Sequence, residues 1–141
     1  MKLQKITPFL WFESGAADAA AFYTRIFKNS AIINSNAMVT HLQLEGTQLM
    51  ILNGGPVFKL NEAFSLVISC DTQEEIDYYW DKLTEGGFEG QCGWLKDKFG
   101  VSWQVVPVIL YELLADPVKA GPVTAAFMKM KKFDIDALKA A

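Results

Sequence analysis

The chain has 141 residues, 51% hydrophobic and 21% charged, with a formal net charge of -3. That balance excludes a disordered segment and suffices for one domain with its own core, without disulfide or structural metal. The acidic excess offers no electrostatic footprint for a phosphate backbone, so nucleic acid is not an expected partner.

The first predicted element is a strand, "PFLWFE" from Pro8 to Glu13. Ser14 then opens a helical stretch in which Ala19, Phe22, Tyr23 and Ile26 fall at i, i+3, i+4 and i+7, one face of a helix. "NSAIINS" reads as a short strand, and "MVTHLQLEG" with "LEGTQLMILNGG" as two strands turning at Glu45-Gly46. "GGPVFKLNE", residues 54–62, reads as a linker. "SLVISC" (Ser65 to Cys70) is the next strand. Asp71 opens a second helix, with Ile76, Tyr79, Trp80 and Leu83 on one face, Glu74 as a capping-box partner and Gly86-Gly87 as a stop. "FEGQCGW" is a further candidate strand, and "KFGVSWQVVP" turns at Gly100 into the last one. Beyond Pro107 the chain reads as helical: "VILYELLA", a stretch entered through Asp116-Pro117, and "DIDALKAA" after an Asp134 cap.

These elements repeat. Ser14 and Asp71, Ala19 and Ile76, and Tyr23 and Trp80 are each 57 residues apart; Gly46 and Gly100, and Met50 and Gln104, are each 54 apart. The chain therefore reads as two βαβββ modules, residues 1–53 and 63–107, with a helical tail at 108–141, all within a single domain. The expected fold is α+β. Sheets twist, so two curved mixed sheets are expected to enclose a cleft lined by alternate strand residues. An apolar cleft of that kind is normally kept for a ligand, although side chains such as Met50 could fill it.

Gln104 is the polar residue that this pattern does not explain, set between Trp103 and Val105 in an apolar strand. Alternation puts Ser102 and Val106 on its face and turns Trp103 and Val105 toward the helices. Trp94 and Phe9 are candidates for the cleft wall, where aromatic rings suit planar or apolar ligands. His41, the single histidine, shares a face with Val39 and Gln43; it reads as a rim residue or, failing that, a general base. "NGG" at Asn53 to Gly55 reads as a turn, with Asn53 a possible polar contact. Cys70 and Cys92 have no ligand or redox spacing and read as packed thiols in a reduced, cytoplasmic protein. Tyr23, Tyr78 and Tyr79 lie on helices and read as structural. Lys129, Lys131 and Lys132 read as a solvated helix end. No run of 18 apolar residues occurs, and no signal peptide or membrane association is expected.

The stretches "PFLWFESGAADAAAFYTRIF", "NGGP", "DTQEEIDYYWDKL" and "CGWLKDKFGVSWQVVP" together resemble the PhnB-like branch of the vicinal oxygen chelate superfamily, the glyoxalase, bleomycin-resistance and dioxygenase fold. The similarity runs from about Ile6 to Pro107. In the metal enzymes of that superfamily, His, Gln or Glu on four strands hold a divalent ion. The resemblance implies Pro8, Met50, Ser65 and Gln104 at those positions here. Proline offers no side-chain donor, a thioether suits hard ions poorly, and a serine and one amide are weak ligands, so no metal is expected. Some members carry a demethylubiquinone methyltransferase label, yet this chain has no glycine-rich strand-to-helix turn for a nucleoside cofactor. No cofactor is expected.

The functional expectation is a metal-free protein that binds a small molecule through Gln104, Ser65, Met50, Asn53, Trp94, Phe9 and His41, as the drug-sequestering members do. The alternative is a metal-dependent lyase, dioxygenase or transferase. Members commonly pair, and the apolar tail residues Val123, Phe127, Met130, Phe133 and Ile135 lead one to expect a homodimer.

Overall fold

Alternation of apolar and polar residues builds the first sheet: β1 (Phe9–Phe12), β2 (Ser30–Ser35), β3 (Val39–Leu44) and β4 (Thr47–Asn53), with α1 (Ala16–Ile26) between β1 and β2. The computed structural model describes residues 2–141 and divides into two compact units, the boundary falling between Leu60 and Asn61. In the first unit the strand order is β1-β4-β3-β2, with β1 parallel to β4 and the other pairs antiparallel. Leu10, Phe12, Leu42, Leu44, Leu49 and Ile51 are buried, as are Ala16, Ala19, Ala20, Tyr23 and Ile26 of α1. The three alanines let the helix lie close to its neighbours. Glu45 and Gly46 both take positive φ (49° and 84°), the geometry of a tight hairpin loop between β3 and β4.

The second unit repeats the plan with β5 (Leu66–Cys70), α2 (Gln73–Thr84), β6 (Phe88–Glu89), β7 (Trp94–Lys96) and β8 (Ser102–Pro107). Its order is β5-β8-β7-β6, with β5 parallel to β8. Ile76, Trp80 and Leu83 of α2 are buried, as are Leu95, Trp103 and Val105 of the sheet. Three helices follow: α3 (Val108–Ala115), α4 (Ala120–Phe127) and α5 (Ile135–Ala140). The expected α+β pair of four-stranded mixed sheets is therefore present.

Four expectations need correction. The second helix is capped by Thr72, not Asp71: the Glu75 N–H donates to Thr72 Oγ1 (3.2 Å), and the Asp71 N–H to Glu75 Oε1 (2.9 Å). The cap side chain and its glutamate have each moved one residue on, while the Asp71 N–H remains the donor to the glutamate. The first helix opens not at Ser14 but at Ala16, and Ser14 is not its cap. Gly15 takes that place in a left-handed conformation (φ 83°) with no side-chain bond of its own.

Strand β6 is only two residues long. Cys92 and Gly93 take positive φ (58° and 80°) and turn away, their N–H groups donating to the carbonyls of Met130 and Lys131 (2.8 Å each).

The largest correction concerns the first strand. Equivalent ladder positions, Phe9 with Val67 and Phe12 with Cys70, are 58 residues apart, because Phe9 pairs with Met50 and Val67 with Gln104. The helices remain 57 apart, Ala16 to Gln73. Three residues (Glu13, Ser14, Gly15) join β1 to α1, and two (Asp71, Thr72) join β5 to α2. That one extra residue means that Thr7, not Pro8, is the counterpart of Ser65.

Candidate functional site

Each sheet has a buried helix-facing side and an opposite side that is open only in part: Phe9 and Val67 are exposed there, whereas Ser102 and Val106 are buried. On the open side of the first sheet Phe9 lies beside Met50 in the parallel ladder, and Met50 lies opposite His41. Phe9 is 53% exposed. The His41 Nε2 meets Gln48 Oε1 at 2.9 Å, while Gln48 Nε2 donates to the Lys2 carbonyl (2.7 Å). Gln4 clamps the same strand: its Oε1 accepts from the Gln48 N–H (2.9 Å) and its Nε2 donates to the Gln48 carbonyl (3.1 Å). His41 thus sits among amides, with no carboxylate bonded to it among the described contacts. Pro8 contributes only its carbonyl, which accepts from the Met50 N–H (3.0 Å).

Asn53 is engaged within its own unit. Its Oδ1 accepts from the Ala16 N–H (2.9 Å) and its Nδ2 donates to the Ala37 carbonyl (3.1 Å). The side chain caps α1 from across the unit, supplying the acceptor that Gly15 lacks.

The second sheet holds the more promising face. Gln104 lies beside Val67 and opposite Trp94, and Ser102 lies opposite Lys96. Gln104 Nε2 donates to Ser65 Oγ at 2.9 Å. The bond uses one of the amide's two N–H groups and leaves its carbonyl oxygen as an acceptor. Val67 is 48% exposed on this face, whereas Trp103 and Val105 are buried on the other. Ser102 is almost wholly buried, and its hydroxyl has no hydrogen-bond partner among the described residues. Desolvating a hydroxyl without a partner costs about 1–3 kcal/mol, a cost that a bound polar group would relieve. Lys96 pairs with Glu62, whose carboxyl is held below its ordinary value chiefly by its hydrogen bond to the Lys96 ammonium.

Sequence reasoning did not single out Lys96 or Glu62. The alternation that placed Gln104 would have found Lys96, two residues from Trp94; Glu62 lies in an irregular segment where no periodicity applies.

On neither sheet does the donor chemistry fit a divalent ion. Gln104 and Ser65 are neutral and bonded to each other, Met50 is a thioether, and the Pro8 carbonyl belongs to the ladder. Among the described residues no three His, Cys, Asp or Glu side chains gather as a metal-holding group.

Two four-stranded mixed sheets, each with its own helix, define a protein of the glyoxalase-like, vicinal oxygen chelate class. Solved structures share the fold. The FosX fosfomycin resistance protein of Listeria monocytogenes, solved with manganese(II) and sulfate, is 17% identical, with a TM-score of 0.61 over 82% of this chain and 98% of that one. A glyoxalase-related enzyme from Fulvimarina pelagi is 16% identical, with a TM-score of 0.54 over 77% and 91%. More similar is a PhnB protein from Bacillus cereus: 32% identity and a TM-score of 0.68, covering 74% of this chain and all of that one. Residues 4–106 match the family described as 3-demethylubiquinone-9 3-methyltransferase, and the chain belongs to that PhnB-like family. No curated protein matches it.

Proposed function

We propose that this protein binds a small, largely apolar molecule without a metal ion, on the open face of its second sheet. The observation that carries the reading is the Gln104–Ser65 pair, a neutral hydrogen-bonding group set between Val67 and Trp94. An apolar surface with a few convergent polar groups is how small-molecule sites combine affinity with orientation. Trp94 supplies a ring against which a planar ligand stacks. Phe9, Met50 and His41 form a separate candidate face on the first sheet.

The family's description names a methyl transfer, and such chemistry needs a methyl donor bound at a defined site. The two strand-to-helix corners, Glu13-Ser14-Gly15 and Asp71-Thr72, are not glycine-rich turns, and Thr72 is occupied in capping its own helix. Binding without methylation is therefore the preferred reading. A metal-dependent lyase, dioxygenase or transferase is the alternative, carried only by the fold. A homodimer is also proposed, on the exposed apolar residues Tyr111, Val118 and Met128 of the tail.

Mass spectrometry of the native protein should detect a co-purified organic molecule and no stoichiometric manganese, zinc, nickel or iron. Gln104→Leu should weaken that molecule's binding by about 1–3 kcal/mol if the amide orients it. Unchanged affinity would remove Gln104 from the site, and a stoichiometric metal would favour the enzyme.

A further inference from the structure

Beside Gln104 the second sheet carries a polar row. Phe88 lies opposite Lys96, and Lys96 opposite Ser102. Ser65 precedes Leu66, whose ladder partner is Trp103, and so falls level with Ser102. Phe88, Lys96 and Ser102 therefore cross three strands in line and Ser65, just before β5, extends the row, with Trp94, Gln104 and Val67 in the adjoining one.

Two features of this row are not explained by the fold. The Ser102 hydroxyl is buried without a partner among the described residues. Lys96, only 32% exposed at its side chain, is paired with the far more exposed Glu62 (65%) rather than with another residue of the sheet. Exposed pairs of this kind hold weakly and exchange partners readily. An ammonium in line with two hydroxyls, bordered by Phe88 and Trp94, is complementary to an anionic head on a flat apolar body.

We propose that Lys96, Ser102 and Ser65 form an anion subsite for a ligand with a carboxylate-type head and a planar apolar body, and that Glu62 is the resident anion this head displaces. The proposal rests on the reading that the open face of the second sheet binds a small molecule. The head accepts hydrogen bonds from Lys96 Nζ and Ser102 Oγ, which gives the buried hydroxyl its missing partner. The ring takes the adjoining apolar row, where Gln104 provides orientation.

Isothermal titration with 2-naphthoate and 2-naphthamide, nearly isosteric and differing in charge, tests it. Wild-type protein should bind the naphthoate about tenfold more tightly, and added salt should narrow that gap. Glu62→Gln should tighten the naphthoate by about three- to tenfold, by removing the competing carboxylate, and leave the naphthamide unchanged. Lys96→Met should abolish the preference, and Ser102→Ala should reduce it, with retained naphthamide binding showing that both variants are folded. Equal binding of the two probes by wild type, or no gain in Glu62→Gln, overturns the anion subsite while leaving small-molecule binding in place. Failure of both probes to bind wild type overturns the subsite and the binding reading together.

Discussion

Asp97 illustrates how a polar residue can belong to the core. It is only 1% exposed, in the turn between β7 and β8. Its Oδ1 accepts from the N–H groups of Phe99 (2.8 Å) and Val101 (3.1 Å), and its Oδ2 from Trp103 Nε1 (2.8 Å). One carboxylate thus closes the turn and ties it to the buried tryptophan of the next strand. Asp97→Ala strands three donors and should destabilise the protein by about 3 kcal/mol or more in urea unfolding. Asp97→Asn should cost less, because it can still accept from the two backbone groups and loses mainly the Trp103 bond. Cys70 gives a pH-dependent case. Burial first, and then the charges of Glu75 and Asp71, push its thiol from 9.0 up to about 12. The folded state therefore keeps its proton where the unfolded chain releases it. The associated stability is intact below about pH 9 and is lost as pH rises toward 12. Wild type should lose more stability than Cys70→Ala between about pH 8 and about pH 10.5.

At the scale of elements, the start of α1 depends on a residue from β4. Asn53→Ala removes the acceptor for the Ala16 N–H and should lower stability by about 1 kcal/mol, read by thermal or urea unfolding. Ligand affinity should be unaffected, because the side chain is engaged at both ends within the fold. The strand-and-helix plan was legible because its periodicities are long and repeated. The face of Gln104 was legible because β8 is regular from Ser102 to Pro107, and alternation counted from any of its residues reaches the same side. Phe9 and Trp94 had no such anchor: their strands are four and three residues long, and pairing partners decide their faces. The capping role of Asn53 was not legible. Its partners, Ala16 and Ala37, are distant in sequence, and nothing local records such a contact.

At the scale of the whole molecule, the tail changes the basis for a dimer. Val123, Phe133, Ile135 and Leu138 are buried within the chain itself, and Phe127 stacks edge-on to Phe133 with centroids 5.9 Å apart. Gln73 at the start of α2 fastens this segment. Its Nε2 donates to the Phe133 carbonyl (2.9 Å), and its Oε1 accepts from the Ile135 N–H (2.8 Å). Lys132 adds a 2.8 Å ion pair with Asp77, both side chains remaining partly exposed. The pair lowers the Asp77 carboxyl and raises the Lys132 ammonium from their ordinary values. The tail is thus largely a lid on its own module. Periodicity shows that such residues are apolar but not whether they are covered by their own chain or a second copy. Truncation after Asp116 should lower the urea midpoint markedly, since each buried large apolar side chain contributes about 1.5–3 kcal/mol. Light scattering of the full chain at the mass of one copy would remove the dimer, while the effect of truncation on stability would stand.

The extra residue between β1 and α1 has a practical consequence for protein engineers. A histidine introduced at Thr7 would emerge on the same side of the sheet as the Met50 side chain, whereas one at Pro8 would be driven toward the layer occupied by Leu10 and Phe12. Chelating side chains grafted here by counting back from the helix would end up inside out. The strand ladder is the only safe ruler.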